Sequence, residues 1–275
     1  IINRALDAGI NLIDTGNLYA GGMSEKIIGK TLKENKRRHQ VIISTKVDHA
    51  PRKRGVSLDE FAPQSAPNEH GNSRLNIIRA CELSLKDLQT DYIDIFQIHR
   101  YYPEYHIEET LGILTDLVRQ GKVRYVGCST FPPWKVMQAI MLSEMKNYAR
   151  FVCEESPYNL LDRRIENELI PLAQENGLGI LGWSPLAHGV LLGLYSKEDE
   201  YPAGTRAAER GSFYADRVSA KGIEVGKKFV KLAKEAGITP AQLGVLWCKD
   251  QPGVTAALIG TRKVEHLDDL AKVLE

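Results

Sequence analysis

The sequence predicts a parallel (β/α)8 barrel whose first strand is missing from this chain. Seven short apolar runs alternate with amphipathic segments, and this βαβα order with short connections implies a parallel sheet. Residues 1–9 have the pattern of the last turns of a helix with Gly9 as its stop, so we expect an eighth strand upstream. The alternation predicts a single barrel domain over residues 1–275.

The predicted strands are apolar runs bounded by turn residues, and the predicted helices have apolar residues at helical spacing. The strands are expected at 11–15, 41–47, 92–99, 123–129, 151–155, 179–184 and 255–260. The helices are expected at 24–34, 73–88, 107–120, 133–146, 164–176, 240–249 and 264–274. Ser24 and Thr239 have the residue types of helix starts, and Gly121 and Gly177 lie where helices should stop.

Two polar segments are predicted to be long loops rather than linkers. Residues 48–73 and 195–220 are rich in proline or glycine. Loops that follow barrel strands carry specificity, so we expect both segments, with the tyrosine-rich stretch 101–106, to wall the substrate pocket. That stretch mixes tyrosines with charges, which favours an amphiphilic carbonyl substrate of sugar-like or aromatic kind.

Composition argues against several classes of protein. The 36 basic and 35 acidic residues nearly cancel and form only short runs, so no nucleic-acid partner is indicated. The most apolar stretch, residues 177–195, contains a proline, a histidine and several glycines, so we expect no membrane span, and no signal peptide is evident. The four cysteines lie far apart in apolar segments, which predicts buried thiols in a reducing, cytoplasmic setting.

Two motifs resemble signatures of other functions, but the residues and predicted elements around them argue against both. Gly177-Leu-Gly-Ile-Leu-Gly182 matches a dinucleotide-binding fingerprint, but here a helix precedes and a strand follows, the reverse of what that fingerprint needs. Gly127-Cys-Ser-Thr resembles a nucleophile elbow, but Phe131 stands where its second glycine should be. The seven histidines show no metal-ligand spacing, so no metal site is predicted.

Polar residues close three of the strand-like runs. Asp14, Lys46 and His99 end their runs, and Tyr19 follows in the loop after Asp14. Because the carboxyl ends of barrel strands converge on one mouth, this placement gathers an acid, an ammonium, an imidazole and a phenol. The set predicts a proton-transfer site.

These residues and their surroundings resemble the aldo-keto reductase family along essentially the whole chain. The similar segments, in order, are Asp14-Thr-Gly-Asn-Leu-Tyr19, Gly21-Gly-Met-Ser-Glu25, Ser44-Thr-Lys46, Gln97-Ile-His99, Gly127-Cys-Ser129, Pro157-Tyr-Asn-Leu-Leu-Asp162, Gly182-Trp-Ser-Pro-Leu186 and Leu258-Ile-Gly-Thr-Arg262. The resemblance implies a (β/α)8 barrel and reversible hydride transfer between a nicotinamide cofactor and a carbonyl or alcohol.

The resemblance also implies catalytic roles. Tyr19 matches the proton donor to the alkoxide, and Lys46 would be the cation that favours its phenolate, since an isolated phenol has a pKa of roughly 10. Asp14 would hold Lys46 charged, and His99 would donate a hydrogen bond to the substrate carbonyl. For each residue alone, an ordinary polar residue at a strand end is the alternative interpretation.

Cofactor contacts carry over from the same resemblance. Trp183 matches the aromatic residue that stacks on the nicotinamide, with a core tryptophan as the alternative. The segment matching the pyrophosphate loop is Ser184, Pro185, Leu186, Ala187 and His188, and Arg206 matches a cation from the following loop. The positions matching the adenosine end and its 2′-phosphate are Gly260, Thr261, Arg262, His266 and Asp269. Arg262 favours NADPH over NADH, which stays open, and an exposed loop arginine is the competing interpretation.

The sequence departs from the family pattern near the nicotinamide carboxamide. Asp14 and Ser129 follow the pattern, but Thr130 and Glu155 replace the usual Asn and Gln. An ionised Glu155 only accepts hydrogen bonds, so we expect the carboxamide to lose a donor. Leu194 stands where relatives often carry a lysine, and the first strand is absent, so this fragment alone should fold poorly if nothing precedes it.

Three functions therefore compete. The first is an NADPH-dependent reductase of an aldehyde or ketone. The second is a cofactor-binding regulatory barrel similar to potassium-channel β subunits, which share Trp-Ser-Pro-Leu-Ala but lack the catalytic histidine, so that His99 favours an enzyme. The third, a Schiff-base barrel using Lys46, does not explain Tyr19 or Trp183. The sequence does not indicate an oligomeric state.

Overall fold

The structure is a computed structural model that describes residues 1–48, 71–215 and 217–273. Most of the predicted loop 48–73 therefore lies outside the described residues. The chain divides into two compact units, residues 2–155 and residues 156–275 together with Ile1, called here the N-terminal and C-terminal units.

Five parallel strands, paired in chain order, form the sheet of the N-terminal unit. They are β1 (Leu12–Asp14), β2 (Ile42–Val47), β3 (Ile93–Ile98), β4 (Val123–Ser129) and β5, which runs on to Pro157 (Phe151–Pro157). The helices are α1 (Ile2–Asp7), α2 (Met23–Asn35), α3 (Arg74–Asp87), α4 (Ile107–Arg119) and α5 (Pro133–Lys146), with 3-10 turns at Tyr19–Gly22 and Arg38–Gln40. The core of this unit is apolar, and its completely buried residues include Ile43, Ile93, Phe96, Leu111 and Leu114.

The C-terminal unit contains a parallel strand pair among longer helical segments. The strands are β6 (Gly179–Trp183) and β7 (Val254–Leu258). The helices are α6 (Leu169–Glu175), α7 (Arg206–Arg210), α8 (Ser212–Ala215), α9 (Ala220–Glu235), α10 (Pro240–Lys249) and α11 (Val264–Ala271), with 3-10 turns at Arg164–Glu166 and Ala187–Gly189. One core cluster packs Val190, Leu191, Ile223 and Phe229 together.

Helix boundaries follow local capping where a cap exists. Thr239 accepts a hydrogen bond from Gln242 N, the Gln242 side chain accepts from Thr239 N, and α10 begins at Pro240 as predicted. Ser24 does not begin α2: the helix starts one residue earlier, after Gly22 in the left-handed conformation, and Ser24 Oγ instead accepts a hydrogen bond from Thr15 Oγ1. That start therefore depends on backbone conformation rather than on a side-chain cap.

The segment after residue 195 is more ordered than predicted. The predicted loop 195–220 contains α7 and α8, and α9 lies where no helix was predicted. Ser219 caps α9 by accepting from Gly222 N, and the helix buries one face, including Ile223 and Phe229. Glycines at Gly222 and Gly226 weaken the helical signal of this stretch, because glycine disfavours a helix interior.

Candidate active site

Lys46 lies near the end of β2 and is completely buried. Its Nζ donates to Asp14 Oδ2 at 2.5 Å and to the Thr15 carbonyl at 2.9 Å, while Asp14 Oδ1 accepts from Ser44 Oγ at 3.0 Å. Burial alone would lower the pKa of Lys46, but the carboxylates of Asp14 and then Glu155 outweigh it and raise the pKa well above its ordinary value. Lys46 is therefore a permanently charged ammonium held by Asp14.

Tyr19 begins a 3-10 turn in which Ala20, Gly21 and Gly22 all have positive φ. Lys46 Nζ lies 5.0 Å from the Tyr19 ring centroid. Burial raises the pKa of Tyr19 most; Lys46 lowers it, and Asp14 and Glu155 raise it further. Lys46 thus lowers the pKa of Tyr19, as predicted. Burial and the two carboxylates outweigh this effect, so Tyr19 is a phenol that keeps its proton.

His99 follows β3 directly and packs edge-on against Tyr19, with 5.8 Å between the ring centroids. Its backbone N donates to the Val47 carbonyl at 3.0 Å, and its Nδ1 lies 3.5 Å from Oδ2 of the buried Asp48. Tyr102 donates to the other oxygen of Asp48. The structure thus brings Asp14, Tyr19, Lys46 and His99 into one cluster of the N-terminal unit.

Glu155 extends this cluster from β5. Its Oε2 lies 3.1 Å from Lys46 Nζ and accepts from Gln97 Nε2 at 2.9 Å, and the Gln97 amide also donates to Ser44 Oγ at 2.7 Å. The Glu155 side chain is only 5% exposed. Burial raises its pKa to about 7 although Lys46 opposes the shift. Glu155 is therefore a partner of Lys46, and its contact with the nicotinamide carboxamide stays a prediction.

Ser129 and Thr130 lie at the end of β4, beside the β5 backbone. Ser129 Oγ and Thr130 N both donate to the Glu155 carbonyl, at 2.9 and 3.0 Å. Thr130 has φ of 55°, a left-handed conformation that a β-branched side chain rarely adopts. Asn tolerates that conformation better, which gives a physical reason for the residue usual in the family pattern.

In the C-terminal unit, Trp183 is the last residue of β6 and is half-buried. The Arg217 guanidinium carbon lies 5.6 Å from the Trp183 ring centroid, and the His188 ring lies 6.0 Å away. The indole is therefore partly exposed with a guanidinium over its face, and its stacking on the nicotinamide stays a prediction.

The segment 184–188 that follows Trp183 has an unusual backbone. Ser184, Ala187 and His188 have φ values of 58°, 46° and 58°. Arg217 Nη1 donates to His188 Nε2 at 2.8 Å, and Ser184 Oγ lies 3.3 Å from His188 Nδ1. Because a guanidinium has only donors, Nε2 accepts and the proton of the neutral ring is on Nδ1. Burial, with Arg217 and Arg206, lowers the pKa of His188 to about 4, so the imidazole stays neutral.

The residues predicted to bind the adenosine end of the cofactor differ in their exposure and in their contacts. Arg206 is exposed, and Arg262, also exposed, contacts Glu209 at 3.3 Å and donates to the Gly204 carbonyl at 2.8 Å. Gly260 and Thr261 precede α11, and His266 is exposed on it. The Asp269 side chain accepts from Thr239 Oγ1 and Gln242 Nε2 and so fixes α11 to α10. Its predicted adenosine contact stays a prediction.

Several residues of these clusters were not predicted as site residues. Gln97 lies inside the quoted segment Gln97-Ile-His99, so the motif contained the signal, whereas nothing in the sequence marks Asp48 or Arg217. Asp48 follows β2 and lies beside His99, and Arg217 precedes α9 and donates to His188.

The four cysteines are free and buried, as predicted. Among the described residues, no helix is both long and apolar enough to cross a bilayer. The described part of the chain also contains no cluster of three or more potential metal ligands.

Comparison with known proteins identifies the family. The model of the aldo/keto reductase family matches residues 1–275. This chain belongs to the aldo/keto reductase family. It is an oxidoreductase acting on carbonyl or alcohol groups, and its fold is the (β/α)8 barrel of that family, as predicted. Members generally use nicotinamide cofactors.

Individual aldo/keto reductase relatives extend over nearly the whole chain. An uncharacterized oxidoreductase, YrpG of Bacillus subtilis, is 36% identical over 100% of this chain and 81% of its own length. A putative aryl-alcohol dehydrogenase of Schizosaccharomyces pombe is 35% identical over 98% of this chain and 84% of its own length. A putative voltage-gated potassium channel subunit beta of the same yeast is 32% identical over 100% of this chain and 78% of its own length.

Proposed function

We propose that this aldo/keto reductase is an NADPH-dependent reductase of an aldehyde or ketone, with Tyr19 as the proton donor. The buried Lys46–Asp14 pair beside Tyr19 is the observation that carries the proposal. A phenol that keeps its proton until charge develops beside it is what reduction needs. The permanently charged ammonium of Lys46 would stabilise the phenolate left behind.

His99 has a distinct role in the proposal. Its ring packs against Tyr19, and its Nδ1 lies 3.5 Å from Asp48 Oδ2, two contacts that orient the imidazole. A hydrogen bond from Nε2 would polarise the carbonyl and place its oxygen within reach of the Tyr19 hydroxyl. The proton of Tyr19 then moves to the alkoxide oxygen, which completes the alcohol.

The C-terminal unit has a donor set that suits a nicotinamide dinucleotide. Trp183 offers an aromatic face, and Arg206, Arg217 and Arg262 supply guanidinium groups for anionic oxygens. When bound, the cofactor supplies the hydride to the carbonyl carbon. Arg262 would hold a 2′-phosphate in place of its present partner Glu209, which is why NADPH is proposed over NADH.

A cofactor-binding regulatory barrel is a second candidate. The relative named as a potassium channel subunit beta, 32% identical over the whole chain, supports it. The presence of Asp14, Tyr19, Lys46 and His99 in one cluster favours the enzyme, and turnover separates the two candidates.

The first test combines cofactor binding with turnover. Tryptophan fluorescence during titration with NADPH and NADH is expected to show tighter NADPH binding, and a panel of aldehydes and ketones should then oxidise NADPH. The Tyr19→Phe variant should lose at least about 100-fold in turnover, because it lacks the proton donor, while its NADPH affinity stays unchanged.

The control for that test is Tyr125→Phe, which alters an exposed tyrosine on β4. It should behave as wild type. Retained turnover in Tyr19→Phe would show that another group donates the proton, and tight NADPH binding without turnover by the wild-type protein would favour the regulatory barrel.

A further inference from the structure

Four polar groups surround the Lys46 ammonium, which has three N–H donors. An ammonium donates three hydrogen bonds. Asp14 Oδ2 at 2.5 Å and the Thr15 carbonyl at 2.9 Å take two of them. Glu155 Oε2 lies 3.1 Å from Lys46 Nζ, and the centroid of the Tyr19 ring lies 5.0 Å from the same atom. One N–H of Lys46 therefore remains for Glu155 and Tyr19.

We propose that Glu155 is a positioning residue that competes with Tyr19 for the Lys46 ammonium and so holds Tyr19 in its protonated form, an inference that rests on the function proposed above. Ionised Glu155 draws the third N–H of Lys46 toward itself and places a second negative charge in the cluster. Both effects oppose formation of the Tyr19 phenolate. The site is thereby biased toward proton donation, which carbonyl reduction uses, and away from proton removal, which alcohol oxidation uses.

Glu155 is built into this position. Its Oε2 also accepts from Gln97 Nε2 at 2.9 Å, and the Gln97 amide is fixed in turn by Ser44 Oγ at 2.7 Å. The Glu155 backbone carbonyl accepts from Ser129 Oγ and Thr130 N. The carboxylate can therefore not swing away from Lys46 without breaking a buried network.

Among the described residues, the charged or titratable groups around Glu155 and Tyr19 are Asp14 from β1, Lys46 from β2, His99 after β3 and Cys153 from β5, while β4 presents the neutral Ser129. Burial raises the pKa of Cys153 to about 12, so it stays a neutral thiol near pH 7. Every variant below keeps Asp14. A change in the pKa of Tyr19 in Glu155→Gln therefore reports on the loss of the Glu155 charge.

The test measures the ionisation of Tyr19 in the protein without cofactor. Tyrosine labelled with carbon-13 at Cζ gives one resonance per ring, and the Tyr19 resonance is assigned by its loss in Tyr19→Phe. In Glu155→Gln, which keeps the shape and removes the charge, the pKa of Tyr19 should fall by about one unit or more relative to wild type. Glu154→Gln is the matched control.

Glu154 is the adjacent residue of β5 and is also buried, but neighbouring residues of a strand point to opposite faces, and Glu154 Oε1 accepts from Phe131 N. Its substitution should leave the Tyr19 titration unchanged. A Tyr19 titration in Glu155→Gln that coincides with those of wild type and Glu154→Gln would overturn the proposal.

A measurement on the wild-type protein covers the case in which Glu155→Gln does not fold. With glutamate labelled at Cδ and the Glu155 signal assigned through its own side-chain correlations, the Glu155 resonance should change at the pH at which Tyr19 ionises, because both groups contact Lys46. A Glu155 resonance that does not respond to the ionisation of Tyr19 would contradict their competition for Lys46.

Alcohol oxidation separates this inference from the proposed function. If both hold, the acidic limb of the pH–rate profile for oxidation moves to lower pH in Glu155→Gln by the same amount as the Tyr19 titration. If the Tyr19 resonance shifts and the profile does not, the coupling of Glu155 to Tyr19 stands, and the assignment of Tyr19 as the proton-transfer group fails.

Discussion

At the scale of single residues, charge balance around Lys46 decides the chemistry of the N-terminal unit. One buried ammonium faces the carboxylates of Asp14 and Glu155 and the phenol of Tyr19. Burying a charge is tolerated when hydrogen-bonded partners surround it, and here the partners outweigh burial, since the pKa of Lys46 is raised. Removing Lys46 would leave two carboxylates close together without a cation, so the ammonium also stabilises the folded structure.

Thr130 is a residue-scale test of backbone strain at this site. Its left-handed φ of 55° costs a β-branched residue on the order of 1 kcal/mol. We expect Thr130→Asn to increase the free energy of unfolding by about 0.5–1 kcal/mol, because Asn adopts this conformation more readily, and to tighten NADPH binding. Urea unfolding and fluorescence titration measure the two effects.

Gln89→Asn is the control for Thr130→Asn. Gln89 is also left-handed, with φ of 52°, and lies between α3 and β3. It should stabilise the protein without changing cofactor affinity. A loss of stability in Thr130→Asn would show that the contacts of the Thr130 side chain outweigh the strain.

At the scale of elements, glycines in helices show where packing overrides helix propensity. In α9, a Cβ added at Gly226 would lie 2.2 Å from the Val190 carbonyl oxygen, which is backbone and cannot rotate away. In α4, the nearest atom to a Cβ added at Gly112 is 4.0 Å away. The same substitution should therefore have opposite effects in these two helices.

Gly226→Ala is expected to lower the free energy of unfolding by about 1–3 kcal/mol, because α9 must move off the 187–191 segment. Gly112→Ala should raise it by up to about 1 kcal/mol, because alanine favours the helix and meets open space. Thermal unfolding followed by circular dichroism compares the two variants. Equal effects of the two substitutions would mean that α9 does not pack against Val190 as described.

At the scale of the whole molecule, the prediction of one domain over residues 1–275 can be tested by calorimetry. A single barrel should unfold in one transition although the chain divides into two compact units. NADPH at about 100 times its Kd adds about 2.7 kcal/mol and should move that whole transition upward by several degrees. Two transitions, of which NADPH moves only one, would show that the units unfold separately.

The sequence by itself determined the fold class and the positions of most strands, and it predicted that the four candidate catalytic residues lie together. Strand and helix periodicity is local, and parallel strands bring their carboxyl ends to one mouth, so Asp14, Lys46 and His99 could be placed together from their order alone. Thr239 likewise marked the start of α10, because a helix cap involves residues only three apart.

Tertiary structure alone decided which charges share a partner. Glu155 lies 109 positions after Lys46 in the chain, and only the pairing of β2 with β3 and of β4 with β5, together with Gln97, brings the two side chains into contact. The net acidity of Tyr19 likewise depends on burial and on three surrounding charges, which no local pattern encodes. Electrostatic free energy depends on distances in space and on exposure to water, so it follows from the folded structure rather than from sequence spacing.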